Sequence, residues 1–258
     1  MEPIYKKLSN ANFYLIAFLL SLILFNILPI VFMVTASLAV EFQQPGFFTN
    51  FMNDYLGTGE LVFTPTIVGI LSISQMLGEI LLAGLFVVLL WKTLGQDWKK
   101  AFSKNNIGRS FATIMIGLVA IYASTYVVTI IYELLKIEGT PDNQNLIESM
   151  LQYDSKIFMI ITTVLLAPFV EEIIFRKLLF GVVEEKFKLS RIWAILLSAA
   201  LFAAVHGIDV FFFQYLALAL VISGVYAFSN NNVFVSIALH FLNNSISIVL
   251  FFFAEALL

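Results

Sequence analysis

Residues 157–183 read IFMIITTVLLAPFVEEIIFRKLLFGVV, an apolar run with two adjacent glutamates and an arginine set in its interior. At about 1.5 Å per residue, a helix of this length crosses a hydrocarbon core of about 30 Å. An ionisable side chain at mid-membrane costs about 2.5–3.5 kcal/mol on insertion scales, so Glu171, Glu172 and Arg176 need partners within the protein. The chain's two histidines also sit in apolar stretches, Phe202-Ala203-Ala204-Val205-His206 and His240-Phe241-Leu242-Asn243-Asn244. Three such segments in one chain point to a single polar site enclosed by helices.

Composition agrees with a membrane protein. The 258 residues are 60% hydrophobic and 12% charged, with a mean hydropathy of +0.96, which excludes the soluble globular classes. A net charge of -3 provides no basic field for nucleic acid. The absence of cysteine excludes disulfides, thiolate zinc sites, a cysteine nucleophile and lipidation through sulfur.

With about 20 apolar residues per span, helices are expected near 12–40, 61–91, 111–135, 157–183, 191–206, 211–229 and 232–256. The fold class is therefore all-α, a polytopic bundle of about seven transmembrane helices, with six to eight compatible with the pattern. Lys6 and Lys7 precede the first run, and Ser37-Leu38-Ala39 resembles a signal-peptidase site. That run, from Phe13 to Val40, is much longer than the ~7–15 residues of a signal peptide's apolar region. It is expected to remain as an uncleaved helix kinked at Pro29.

Lys92, Lys99, Lys100, Lys104 and Arg109 lie in 92–110, whereas 41–60 holds no Lys or Arg. The positive-inside rule then places the N-terminus and the 92–110 segment in the cytoplasm, with Lys186, Lys188 and Arg191 on the same side. The acidic segment 138–154 falls outside, where Leu146, Ile147, Met150 and Leu151 suggest a short amphipathic surface helix. No repeat or second soluble domain is evident. Residues 1–154 carry no named motif, and 155–258 hold all three polar clusters within one integrated membrane domain.

Helical phase divides the first cluster. Glu172 and Arg176 are i,i+4 neighbours and form a pair, while Glu171 lies about 100° away around the axis and faces something else. Glu171 is thus the candidate general base. His240 and Asn244 are also i,i+4 and project to one side of the last helix, and His206 stands one turn beyond Phe202. Residue counting sets Glu171 and His206 at similar depths, about 20 and 22 Å from their cytoplasmic turns, but His240 only about 12 Å from its own. Other groups are weaker candidates. Glu79 is a mid-span acid without an obvious partner, expected to be structural or to snorkel. Phe211-Phe212-Phe213 reads as lipid-facing or core bulk, Ser223 and Ser245 lack a nucleophile's setting, and no phosphate-binding glycine loop is present.

E-E-x-x-x-R, F-x-x-x-H and H-x-x-x-[ND], in this order on successive membrane segments, resemble the CAAX-protease and bacteriocin-processing (CPBP, or Abi) family of intramembrane proteases. Ala167-Pro168-Phe169-Val170, Leu201-Phe202 and Leu239-His240-Phe241 fit the same pattern, and the resemblance covers about residues 155–250. It implies a membrane endopeptidase in which Glu171 activates water with His206 assisting. By the same resemblance His240 and Asn244 stabilise the oxyanion, and Glu172 and Arg176 support the site. The family is often described as metalloproteases, and zinc, if bound, would be held by Glu171, His206 and His240. Asn244 suits an oxyanion donor better than a zinc ligand, so a mechanism without a required cofactor is preferred.

The implied partners are the lipid bilayer and a peptide or protein substrate, in a bacterial plasma membrane and in the context of bacteriocin immunity or peptide maturation. A different class of function, a non-catalytic immunity or scaffolding protein that binds a peptide or partner, would keep the same polar cluster. A proton-coupled transporter would use buried Glu and His as well, but lacks support from a paired inverted repeat.

Overall fold

Every backbone polar group inside a bilayer has to be satisfied within the protein, and helices do this segment by segment. The computed structural model describes residues 10–57 and 62–257. Lys6, Lys7 and the expected first residue of the second span, Leu61, lie outside that range. Among the described residues the chain is helical throughout, with no strand. The helices are α1 (Asn10–Glu41), α2 (Phe47–Leu56), α3 (Pro65–Phe102), α4 (Ile107–Leu134) and α5 (Asp142–Leu151). They are followed by α6 (Lys156–Lys186), α7 (Arg191–His206), α8 (Phe212–Phe228) and α9 (Val233–Glu255).

The all-α polytopic expectation is borne out. Five helices, α1, α3, α4, α6 and α9, are long and apolar enough to cross a membrane, and α7 and α8 are shorter apolar helices. Outward-facing residues such as Val88, Ile116 and Val119 are exposed, as expected of surfaces that meet lipid tails.

Two elements differ from expectation. The second span runs to Phe102 rather than residue 91, because a helix need not end where the hydrocarbon does. Lys99 and Lys100 close its last turn, where cations favour the helix dipole. At its start, Thr64 Oγ1 accepts from Ile67 N–H at 3.3 Å and Pro65 occupies the first turn, a strong initiation signal. The second difference is α2. Glu41 Oε1 and Oε2 accept from Gly46 N–H (2.8 Å) and Phe48 N–H (2.7 Å), so the last residue of α1 caps the first turn of α2. Gly46 takes φ +89° there, a conformation that favours glycine.

The core forms around α6. Ile173, Ile174, Phe175, Leu178, Phe180, Val182 and Val183 are buried against residues of α1, α3, α7 and α8. Tyr14 of α1 packs directly over Gly181, where any side chain would displace the ring. At the lysine-rich end, Lys177 Nζ donates to Asp97 Oδ2 at 2.5 Å, and Asn232 Nδ2 donates to Asp97 O at 2.8 Å. Together these bonds tie α3, α6 and α9. The amphipathic segment forms α5 as expected, with Met150 and Leu151 buried and Leu146 open.

Candidate active site

α6 departs from regular α geometry in three wide, i→i+5 turns, at Thr162–Leu166, Ile173–Leu178 and Val182–Lys186. Such turns recur at functional sites, and here the first two bracket the glutamates. Widening frees main-chain carbonyls, which neighbouring helices then satisfy. Ser198 Oγ of α7 donates to Phe175 O at 2.9 Å.

The first wide turn has a cause in the sequence. Ala167 N–H reaches back to Thr162 O. The next such bond would run from residue 168 to Thr163 O, but Pro168 has no N–H. Asn244 Nδ2 of α9 donates to Thr163 O at 2.9 Å instead, healing the gap that Pro168 leaves. One amide hydrogen of Asn244 is thereby engaged and the other remains for the cavity. Its Oδ1 accepts from Asn243 Nδ2 at 3.2 Å.

Glu172 and Arg176 are both wholly buried, and Arg176 Nε stands 3.4 Å from Glu172 Oε2, the expected i,i+4 pair. Arg176 Nη2 donates to Ala219 O at 3.4 Å, and its guanidinium lies 4.6 Å from the centre of the Phe202 ring, a cation–π contact. Glu172 has a second partner that helical phase alone did not reveal. His240 Nδ1 donates to Glu172 Oε1 at 3.0 Å, which orients the imidazole and fixes its proton on Nδ1 when neutral. The other nitrogen, Nε2, faces Glu171 Oε2 at 3.9 Å. His240 thus bridges the two adjacent glutamates across α6 and α9.

His206 is held differently. Its Nδ1 donates to Phe202 O at 2.8 Å, leaving Nε2 as the acceptor of the neutral ring. The ring is stacked between Phe202 (4.4 Å, 28°) and Tyr215 (4.7 Å, 30°). Tyr215 was not singled out by sequence reasoning. Its only signal is an aromatic at the start of α8, and the Gly207 turn that folds α8 back onto α7 could not be resolved by spacing. Gly207 takes φ +146° at that turn.

Glu171, His206, His240 and Asn244 all line one cavity of about 800 Å³. Residues before 155 contribute as well, including Pro29, Ser74, Gln75, Glu79, Ile121 and Thr125, and α5 lies along it through Asn143, Gln144 and Glu148. The depth mismatch counted for His240 does not keep it from Glu171. For Glu79, the snorkelling alternative is overturned and the missing partner is supplied, whereas the structural alternative is not contradicted. The side chain is buried, and its Oε1 accepts from Gln75 Nε2 at 2.7 Å.

A zinc site would need Glu171, His206 and His240 to converge as ligands at about 2.0–2.2 Å from one point. Among the described residues no three His, Cys, Asp or Glu side chains are grouped in that way. As arranged, Glu171, His206 and His240 are not gathered as one ligand set.

Comparison with known proteins places the likeness in this same region. Residues 153–246 match the family model described as type II CAAX prenyl endopeptidase Rce1-like. The chain is 27% identical over 165 residues to "Putative membrane peptidase YdiL" of Bacillus subtilis (strain 168), covering 64% of this chain and 66% of that protein, just under two thirds of its length. No solved structure gives a significant match. The three polar motifs lie within the matched segment, so the likeness to type II CAAX prenyl endopeptidases and to a membrane peptidase rests on the same residues that line the cavity.

Proposed function

We propose that this integral membrane protein is an endopeptidase that hydrolyses a peptide bond with a water molecule activated by Glu171. The observation that carries the proposal is the convergence of Glu171, His206, His240 and Asn244 on one cavity. A carboxylate base, two oriented imidazoles and an amide donor on a shared wall are the parts that peptide hydrolysis requires.

Glu171 takes a proton from water as the oxygen attacks the scissile carbonyl carbon. A C–O bond forms, and the carbonyl π pair moves to oxygen. The free amide hydrogen of Asn244, and Nε2–H of His240 when that ring carries both protons, donate to the developing oxyanion. His206 Nε2, the lone-pair nitrogen of the neutral ring, accepts a hydrogen bond from the same water and aims it. Collapse of the oxyanion breaks the C–N bond, and the proton held by Glu171 passes to the leaving nitrogen. The products are a carboxylate and a free amine.

Glu172 and Arg176 act through His240 and the backbone rather than on the substrate. No metal has a role in this scheme, which is part of the proposal. The orientation with N-terminus and lysine-rich turns in the cytoplasm of a bacterial plasma membrane, and a role in peptide maturation or bacteriocin immunity, belong to the same reading.

The test is incubation of the purified protein with a library of membrane peptides, wild type beside Glu171→Ala, with fragments read by mass spectrometry. Discrete cleavage by wild type that disappears in Glu171→Ala is expected. A wild-type protein that binds library peptides without cutting any would favour the binding or scaffolding class instead.

A further inference from the structure

The cavity is acidic as well as catalytic in layout. Glu79, Glu148 and Glu171 line it, and no Lys or Arg does so among the described residues. Arg176 is engaged by Glu172, Ala219 O and the face of Phe202, so its charge is already committed. Glu148 lies on α5, with Oε1 accepting from Gln144 Nε2 at 2.7 Å.

Glu79 stands apart from the other two. It is only 2% exposed, and although Oε1 is held by Gln75, Oε2 has no hydrogen-bond partner. A buried carboxyl oxygen left unpaired costs about 1–3 kcal/mol, and more when charged. Folding does not relieve that cost, whereas an incoming donor would. α1 contributes to the pocket's rigidity here, because Pro29 packs against Gly78, the residue beside Glu79. Gln75 restrains one oxygen of a side chain that lines the cavity, and the other oxygen is enclosed without a partner.

We propose that Glu79, steadied by Gln75, is a specificity residue of this cavity and receives a basic side chain, lysine or arginine, of the bound peptide. This rests on the protease reading for the identity of the ligand as a peptide, but not on Glu79 taking any part in bond cleavage. An ammonium or guanidinium satisfies the unpaired oxygen and supplies the positive charge that the lining lacks. It also explains why a segment without a family motif carries an acid at this depth. A peptide docked through Glu79 would be gripped from α3, which packs against both α6 and α9.

The experiment uses the full chain in lipid nanodiscs and two matched series of fluorescent apolar decapeptides. One series scans a single lysine through every position and the other scans norleucine. Binding is read by anisotropy and cleavage in parallel by mass spectrometry. For at least one position, wild type is expected to bind the lysine peptide about tenfold or more tighter than its norleucine partner, the size of a charge-assisted hydrogen bond. Glu79→Gln, whose carbonyl still accepts from Gln75, should erase that difference and leave norleucine binding unchanged. Glu79→Asp keeps the charge one carbon further back, and should lose the lysine advantage while retaining an advantage for arginine in a third series. It serves as the deciding variant if Glu79→Gln does not fold.

Absence of a lysine preference in wild type at every position would overturn the proposal, as would a preference that survives Glu79→Gln. Loss of binding for lysine and norleucine peptides alike would also overturn it, by assigning Glu79 a structural role. The two readings fail separately: cleavage without lysine preference rejects the docking role, while lysine preference without cleavage rejects the protease.

Discussion

Glu172→Ala should damage folding far more than Glu171→Ala, although the residues are adjacent and both buried. Glu172 is wholly enclosed and touches two cationic or proton-donating groups, Arg176 at 3.4 Å and His240 Nδ1 at 3.0 Å. Its removal leaves Arg176 in the core without a counter-charge, and breaking one side of a buried ion pair costs about 3–5 kcal/mol. Loss of the bond to His240 adds to that, since hydrogen bonds to charged groups are worth about 1.5–3 kcal/mol. The two losses fall in one network and need not add. Glu171 meets His240 Nε2 only at 3.9 Å and lines the cavity, so Glu171→Ala should change stability by no more than about 1 kcal/mol. The assay is reversible unfolding of wild type, both single variants and Glu172→Ala/Arg176→Met in mixed micelles. The double variant removes the stranded charge and should recover much of the loss. Equal stability of Glu171→Ala and Glu172→Ala, or a double variant worse than Glu172→Ala, would refute the assignment.

Asn244 combines two duties, so Asn244→Ala should lower turnover by about 10²–10³-fold as a lost oxyanion donor and also destabilise the fold by about 1–3 kcal/mol through the unpaired Thr163 carbonyl. Adding Pro168→Ala restores an N–H for that carbonyl, and should recover stability without recovering turnover, measured by unfolding and kinetics on the same preparations. Chelator treatment with metal analysis should leave activity intact. Loss on chelation, restored by about one equivalent of zinc, would replace the water-activation scheme with a metal-based one.

Much of this arrangement was legible in the sequence because mid-membrane charge is costly enough to announce itself. Glu171, Glu172, Arg176, His206, His240 and Asn244 stood out against apolar surroundings, and the structure brings the four proposed to act on substrate to one cavity. The Glu172–Arg176 pair followed from i,i+4 spacing alone. What spacing could not convey was everything that depends on contact between helices. The bond from His240 to Glu172 joins residues 68 positions apart, and the stack of Tyr215 on His206 depends on the turn at Gly207.

The wide turns of α6 were also out of reach, because regular helical counting assumes about 3.6 residues per turn throughout. Pro168 was visible as an interruption, yet its consequence, a carbonyl handed to Asn244, required knowing which helix lay opposite. The partner of Glu79 was missed for the same reason in miniature. Gln75 sits four residues before it and could have been recognised as an i,i+4 partner, but nothing in the sequence shows that both face the cavity of Glu171. The end of α3 was placed too early because loss of hydrophobicity marks the membrane boundary and not the end of a helix.

The central claim is that Glu171 makes water the nucleophile. It is tested most directly by cleavage in ¹⁸O-labelled water, comparing wild type with Glu171→Gln, which preserves shape but cannot accept the proton. Wild type should place one ¹⁸O atom in each newly formed carboxylate during a single turnover, while Glu171→Gln should bind the peptide and produce no labelled fragment. Labelled product from Glu171→Gln at the wild-type rate would contradict the account.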